Sequence, residues 1–245
     1  MTGRAVPVVL FLGLWEVVAL LGFAPRDILP PVHSIAARAF TLGTSGELGP
    51  NLLTSLGRAA LGFVFATCAG IVLGALMSRS RTIEVFISPL LALSYPVPKP
   101  AYFPLFLIWL GLGSPTHVAV IVSGCIIPVV ISTYTGARRV NRHLVWTAKN
   151  FGMGATRIIW RVVLPAALPD IIVGVRVALT LSFVMLVSSE MLAGQTGLGF
   201  LASYLGEGGD YEGMFAVVLL IGLLGFLADQ AYGVLGGRLL APYRD

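Results

Sequence analysis

The sequence predicts an all-α, polytopic membrane protein, and three observations carry that prediction. Of 245 residues, 57% are hydrophobic and 11% charged, where soluble domains carry roughly a quarter charged residues, and the mean hydropathy is +0.91. The apolar residues gather into runs long enough to cross about 30 Å of hydrocarbon. Most of the 16 Lys and Arg fall in alternate gaps between those runs.

Six spans follow, at about Pro7 to Ala24, Leu56 to Met77, Phe86 to Leu110, Thr116 to Gly136, Leu168 to Leu192 and Met214 to Gly236. The first is too long for the core of a secretory signal, and "PRDILPP" after it offers no small-residue cleavage site, so it reads as an uncleaved helix. With a cytoplasmic amino terminus, the inside segments hold Arg4, Arg79, Arg81, Arg138, Arg139, Arg142, Lys149, Arg157, Arg161, Arg238 and Arg244. Only Arg26, Arg38, Arg58, Lys99 and Arg176 lie elsewhere. Because these cations resist translocation, both termini are expected to be cytoplasmic.

Composition also excludes function classes. The net charge of +5 comes without a basic face interleaved with aromatics, so no nucleic-acid partner is expected. Cys68 and Cys125 sit singly inside apolar runs and read as packing residues. His33, His117 and His143 fall in separate segments without ligand-like spacing, which gives no metal site. No Gly-x-x-x-x-Gly-Lys-Ser/Thr loop or nucleophile elbow is present, so ATP chemistry must belong to another polypeptide.

Inside the third span, "SYPVPKPAYFPLFLIWLGLG" (residues 94–113) carries prolines at alternate positions 96, 98 and 100. Each lacks an amide hydrogen and interrupts bonding to the carbonyl four residues earlier. The span is therefore expected to unwind near its middle, which is tolerated at membrane depth only against protein or water. Tyr95, Pro96, Pro98, Lys99, Pro100 and Tyr102 become candidates for a translocation path, the alternative being a kinked helix buried for packing. Lys99 either offers positive potential to a small anion or snorkels.

Other intramembrane charges read as bundle glue rather than solute contacts. Arg176 and Asp229 fall at similar depth, with Glu16 somewhat deeper, so either acid is a plausible partner for Arg176; Arg58 and Glu190 lie near the outer ends of spans two and five. Gly62, Ala66, Gly70 and Gly74 give span two a small-residue face for close helix contact. Outside, residues 25–55 read as a proline-started surface helix followed by a Gly-rich turn.

The segment 137–167, "ARRVNRHLVWTAKNFGMGATRIIWRVVLPAA", reads as two short helices. Leu144, Val145, Ala148 and Phe151 recur at helical spacing, Gly152 and Gly154 interrupt, and a second helix runs from Thr156 until Pro165 stops it. By composition alone it is also a basic amphipathic loop resting on anionic lipid. Its spacing, a Gly at 152, nine residues, then Val162 and Leu164-Pro165, resembles the cytoplasmic "EAA" signature of ABC importer permeases. "TSLGRAALGFVFATCAGIVLGALM", "YPVPKPAYFPLFLIWLGLG", "LPAALPDIIVGVRVAL" and "VSSEMLAGQTGLGFL" extend the likeness to the nitrate, sulfonate and taurine branch, which includes transporters of thiamine-precursor pyrimidines.

The resemblance implies one permease domain over 1–245 with a type I ABC importer permease fold, in a bacterial plasma membrane. It implies a homodimer, two ATP-binding subunits that carry ATP-Mg, and an extracytoplasmic solute-binding protein, with no cofactor on this chain. Leu144, Val145, Trp146, Thr147, Ala148, Lys149, Phe151, Gly152, Met153 and Gly154 would form the coupling surface. The chain departs from the family at Trp146, Thr147 and Ala148, which stand where Glu-Ala-Ala is usual. A self-sufficient secondary transporter, which also uses broken helices, is the competing reading; no internal repeat within six spans favours it.

Overall fold

The computed structural model describes residues 2–23, 25 and 27–240, without the side chains of residues 2–5 and 8. The expected end of the first span at Ala24, the cations Arg26 and Arg244, and the Arg4 side chain lie outside this description. All regular structure among the described residues is helical. The helices are α1 (Thr2–Leu20), α2 (Val32–Thr44), α3 (Leu48–Arg79), α4 (Arg81–Ser94), α5 (Phe103–Leu110), α6 (Ser114–Arg139), α7 (Arg142–Asn150), α8 (Ala155–Ile158), α9 (Leu164–Ala193), α10 (Leu198–Glu207) and α11 (Tyr211–Leu239). A 3₁₀ turn, Lys99–Tyr102, precedes α5, and a π-helical turn, Ile159–Val163, joins α8 to α9.

Among the described residues, four helices are long and apolar enough to cross a membrane: Leu48–Arg79, Ser114–Arg139, the joined Ala155–Ala193 and Tyr211–Leu239. Of the other two expected spans, the first lies on α1 (Thr2–Leu20, 19 residues), which ends before Gly22, whose φ of 73° leaves the helical region. The third is broken: α4 has 14 residues, about 21 Å of rise, and α5 has 8, about 12 Å, so neither reaches across alone. The second span begins eight residues earlier than expected, at Leu48, because the outer Gly-rich turn is only three residues long before helix resumes.

Contacts divide the chain into two compact units, with boundaries inside α3, α9 and α11. Residues 1–56 and 190–224 form the first. Its core is Ile35 and Leu42 of α2, Leu198, Leu201, Ala202 and Leu205 of α10, and Ala216 and Val217 of α11. Trp15 packs edge-on against Phe215 at 5.7 Å and donates to the Pro30 carbonyl at 3.0 Å, so an amphipathic ring fastens α1 to the turn before α2. Arg38 donates to Asp210 at 2.7 Å, and Asp210 also accepts from the Gly213 amide. Burial works to raise the Asp210 pKa, but the Arg38 hydrogen bond, the Gly213 amide and the Arg38 charge outweigh it and leave the carboxyl below its usual range.

Residues 57–189 and 225–245 form the second unit, built around α6. Val120, Ile121, Cys125, Val129, Val130 and Thr133 of α6 are at most 1% exposed. The face of α3 expected from its four-residue spacing lies on this helix. A methyl added at Gly62 would meet Ile121, at Gly70 Val129 and at Gly74 Thr133, each within 2.8 Å. Ala66 between them is fully buried, so the two backbones approach as closely as small side chains permit.

Candidate functional site

The proline stretch is built as a helix ending, a short irregular link and a 3₁₀ restart. α4 closes with the Tyr95 amide donating to Leu91. Residue 98, the ordinary helical donor to the Ser94 carbonyl, is a proline, and the Val97 amide donates to that carbonyl in a tighter turn at 3.2 Å. Lys99 adds side-chain donors to the link. Its Nζ donates to the Ser94 carbonyl, to the Val97 carbonyl at 3.0 Å and to Ser94 Oγ at 3.3 Å, and lies 5.6 Å from the Tyr102 ring centroid. The cation thus sits at the C-terminal, negative end of α4 and donates to two backbone oxygens of the proline stretch. Its acceptors are uncharged, so a full positive charge remains in the wall.

That wall belongs to a cavity of about 530 Å³. Tyr95, Val97 and Lys99 line it from the break, Ile127, Pro128, Ile131 and Ser132 from α6, and Val177, Leu181 and Met185 from α9. Pro96, Pro98 and Pro100 are not among its lining residues, and neither is Tyr102, whose hydroxyl faces Ser94 Oγ at 3.5 Å. Ser132 and Met185 were not visible as site residues in the sequence. Their only signal was membership of the helices that flank the break.

α7 and α8 form the second candidate surface. Asn141 caps α7, its side-chain oxygen accepting from the His143 amide at 2.9 Å. The helix ends in a Schellman closure: the Met153 amide donates to the Ala148 carbonyl at 3.1 Å and the Gly152 amide to Lys149 at 2.9 Å, with Gly152 at φ 74°. The apolar residues of α7 divide between two faces. Val145 is half-buried and Ala148 buried, while Leu144, Trp146 and Phe151 are 51%, 54% and 80% exposed. Thr147, Lys149, Gly152 and Gly154 are also exposed, and Met153 is half-buried. Trp146 stands outward with the His143 ring edge-on at 5.3 Å.

The second short helix does not stop at Pro165, contrary to the sequence expectation. Ala155–Ala193 runs on as one 39-residue helix. The reason lies in the π turn, where the Leu164 amide reaches back five residues to Ile159. Such a turn shifts the carbonyl that a proline ring would otherwise strike. The segment at residues 137–167 is therefore continuous with a membrane-length helix whose residues 177–185 line the cavity.

The charged residues resolve into separate clusters. Arg176 pairs with Asp229 through two parallel bonds, Nε to Oδ1 and Nη2 to Oδ2, each 2.7 Å. Glu16, the other possible partner, instead accepts from the Val32 amide at 2.6 Å and contacts His33 Nδ1 at 2.5 Å. Glu190 is 1% exposed; it accepts from Ser55 Oγ at 2.8 Å and from the Gly199 amide at 2.9 Å, while Ser55 Oγ accepts from Leu198 and Asn51 from Gly197. Side chains of α3 and α9 thereby satisfy the first amides of α10, a service no local cap provides. Arg58 donates to Ser114 Oγ at 3.0 Å. Glu84, near the start of α4, joins Tyr134 at 2.5 Å, Arg81 at 3.0 Å and Arg138 at 3.2 Å. The Tyr134 hydroxyl first, then Arg81, hold its carboxyl below the usual range against the opposing effect of burial.

Comparison with known proteins places this arrangement in a lineage. A Bacillus subtilis (strain 168) protein described as an aliphatic sulfonates transport permease is 31% identical over 240 residues, covering 98% of this chain and 87% of that protein. The taurine transport system permease protein of Escherichia coli (strain K12) is 31% identical over 233 residues, covering 93% and 85%. The nitrate import permease protein of Synechococcus elongatus is 27% identical over 247 residues, covering 95% and 87%. Among solved structures, a chain of the inward-facing MetNI methionine ABC transporter superposes with a TM-score of 0.70 at 15% identity, covering 80% of this chain and 98% of that one. The fold is that of a type I ABC importer permease. Residues 66–240 match the model of the binding-protein-dependent transport system inner membrane component, and the chain belongs to that family of importer permeases.

Proposed function

We propose that this chain forms the solute path of an ATP-driven importer for a small anion such as a sulfonate, taurine or nitrate. The relatives named for those solutes support the solute class, as does the positive charge that Lys99 leaves in the cavity wall. The solute comes from an extracytoplasmic binding protein, two copies of the chain form the path, and two separate subunits hold ATP-Mg and hydrolyse it. Both termini and residues 137–167 face the cytoplasm, in accord with the Lys and Arg asymmetry.

One observation carries the mechanism. α7 presents Leu144, Trp146 and Phe151 outward, and α8 beside it is the first turn of the 39-residue helix that reaches the cavity. From Ile158 to Leu181 that helix rises about 35 Å, so a push on the α7–α8 bend travels along a hydrogen-bonded rod. ATP-driven closure of the docked subunits moves the bend, and α9 shifts against the Tyr95–Lys99 wall. This is a rigid-body transition rather than a local deformation.

Cysteine crosslinking in a background without Cys68 and Cys125 tests the reading. A cysteine at Phe151 should crosslink to the ATPase subunit, and one at Thr44 should react with an impermeant reagent added outside intact cells. Phe151→Glu should abolish the ATPase pull-down and uptake while leaving insertion unchanged. Normal ATP-dependent uptake by Phe151→Glu, or the reverse labelling pattern, would overturn it.

A further inference from the structure

A second cavity, about 320 Å³, lies where the ends of α3, α6 and α7 meet, beside the π turn. Its lining brings together Arg79, Arg138 and Arg142, with Ser78, Val145 and Trp146, and no acidic side chain lines it. Arg79 and Arg138 fall in the last turns of α3 and α6, where a cation complements the helix dipole. Arg142 has no such account. It lies in the first turn of α7, a turn without an acidic residue, so its charge adds to the positive end of its own helix.

The acid nearest this group, Glu84, is already shared among Tyr134, Arg81 and Arg138. Among the described residues, neither Arg79 nor Arg142 has an ion-pair partner. Three guanidinium groups converge on one concave space, and only Arg138 meets a carboxylate, the shared Glu84, so the uncompensated charge of Arg79 and Arg142 calls for an anion. Planar donors at several angles suit the tetrahedral oxygens of phosphate. The place also fits: Arg79 and Arg138 end helices of membrane-crossing length, which is headgroup depth, and an indole at that depth is at home in the interface.

We infer that the Arg79–Arg138–Arg142 cavity binds a phosphate-bearing anion, supplied at this depth by an anionic phospholipid headgroup. The occupant bridges the ends of α3, α6 and α7 and neutralises Arg142. Binding does not depend on the transport reading, because it needs only this chain and a phosphate.

Native mass spectrometry of the full chain in neutral detergent, titrated with phosphatidylglycerol, phosphatidylcholine or inorganic phosphate at constant ionic strength, tests the inference. Phosphatidylglycerol should bind more tightly than phosphatidylcholine. Arg142→Gln should weaken that binding by about tenfold, the loss of one charge-assisted contact, and Arg142→Lys by less. Arg139→Gln is the matched control, since Arg139 lies on the same helix end, pairs with Asp170 at 3.4 Å and does not line the cavity. It should change binding less than twofold. Binding of inorganic phosphate, but not phosphatidylglycerol, that is lost in Arg142→Gln would support the phosphate site and assign its source to the soluble anion. Equal binding of the two lipids without any Arg142-dependent phosphate binding, or equal losses in Arg142→Gln and Arg139→Gln, would overturn it.

Discussion

Residues 94–103 and residues 150–165 both combine a break in helix with proline, yet the chain handles the two places by opposite means. At the first, alternate prolines remove amide donors, the backbone recovers only the Val97 amide to Ser94 bond, and the Lys99 side chain donates to the Ser94 and Val97 carbonyls. At the second, the backbone mends itself: Gly152 at φ 74° closes α7, and a π turn carries the helix through Pro165. The first repair concentrates charge at one point in a cavity wall. The second produces a continuous rod with a bend at its end, suited to transmitting force.

The largest effect expected from this contrast is at Lys99. Lys99→Met leaves the Val97 carbonyl without its Lys99 donor and Ser94 with the Val97 amide alone, and at about 1–3 kcal/mol for a buried unsatisfied group the cost is roughly 2 kcal/mol, read by thermal or denaturant unfolding in micelles. Pro98→Ala returns a second amide donor to this link, so in that background the same substitution should cost less. Equal costs in both backgrounds would show that Lys99 does not replace a missing amide.

Gly152→Ala comes next. Nothing lies within 4 Å of an added Cβ, so the cost is that of the left-handed backbone alone, about 1–2 kcal/mol. It should appear as faster hydrogen exchange at the Schellman amides of Gly152 and Met153 rather than as global unfolding. A Gly152→Asn variant should sit between. Exchange unchanged in Gly152→Ala would mean that the bend does not require glycine.

Pro165→Ala should be the mildest, under about 1 kcal/mol, because the π turn already accommodates the proline ring within a continuous helix. If the variant instead gains several degrees in melting temperature, the π turn is strain imposed by the proline. The two regions would then be more alike than their geometry indicates.

Much of this was legible in sequence because it depends on which groups are missing or small. Alternate prolines announce a break, since an absent amide cannot be restored by context. The four-residue spacing of Gly62, Ala66, Gly70 and Gly74 announces a seam, because only small side chains allow that approach. Arg176 could be given a short list of acids by depth, but choosing Asp229 over Glu16 required three dimensions: Glu16 is held by the Val32 amide and His33. The continuation through Pro165 was illegible, since proline after a short helix usually marks its end and a π turn has no composition of its own. The cavity's Ser132 and Met185 were hidden for a simpler reason. They are ordinary helix residues that acquire a role only from what faces them.

The seams along α6 settle which part of the second unit can serve as its stator. On one side the glycines of α3 lie against it; on the other, added methyl groups at Gly136 and Gly124 would come within 2.7 Å of Asp170 and Met185 of α9. A shaft gripped at backbone distance along both flanks has no free play, and steric interlocking turns any large relative displacement into collision. Within this unit the freedom to move lies where that grip is absent, at the proline break and at the α7–α8 elbow, the two places where its helices are interrupted.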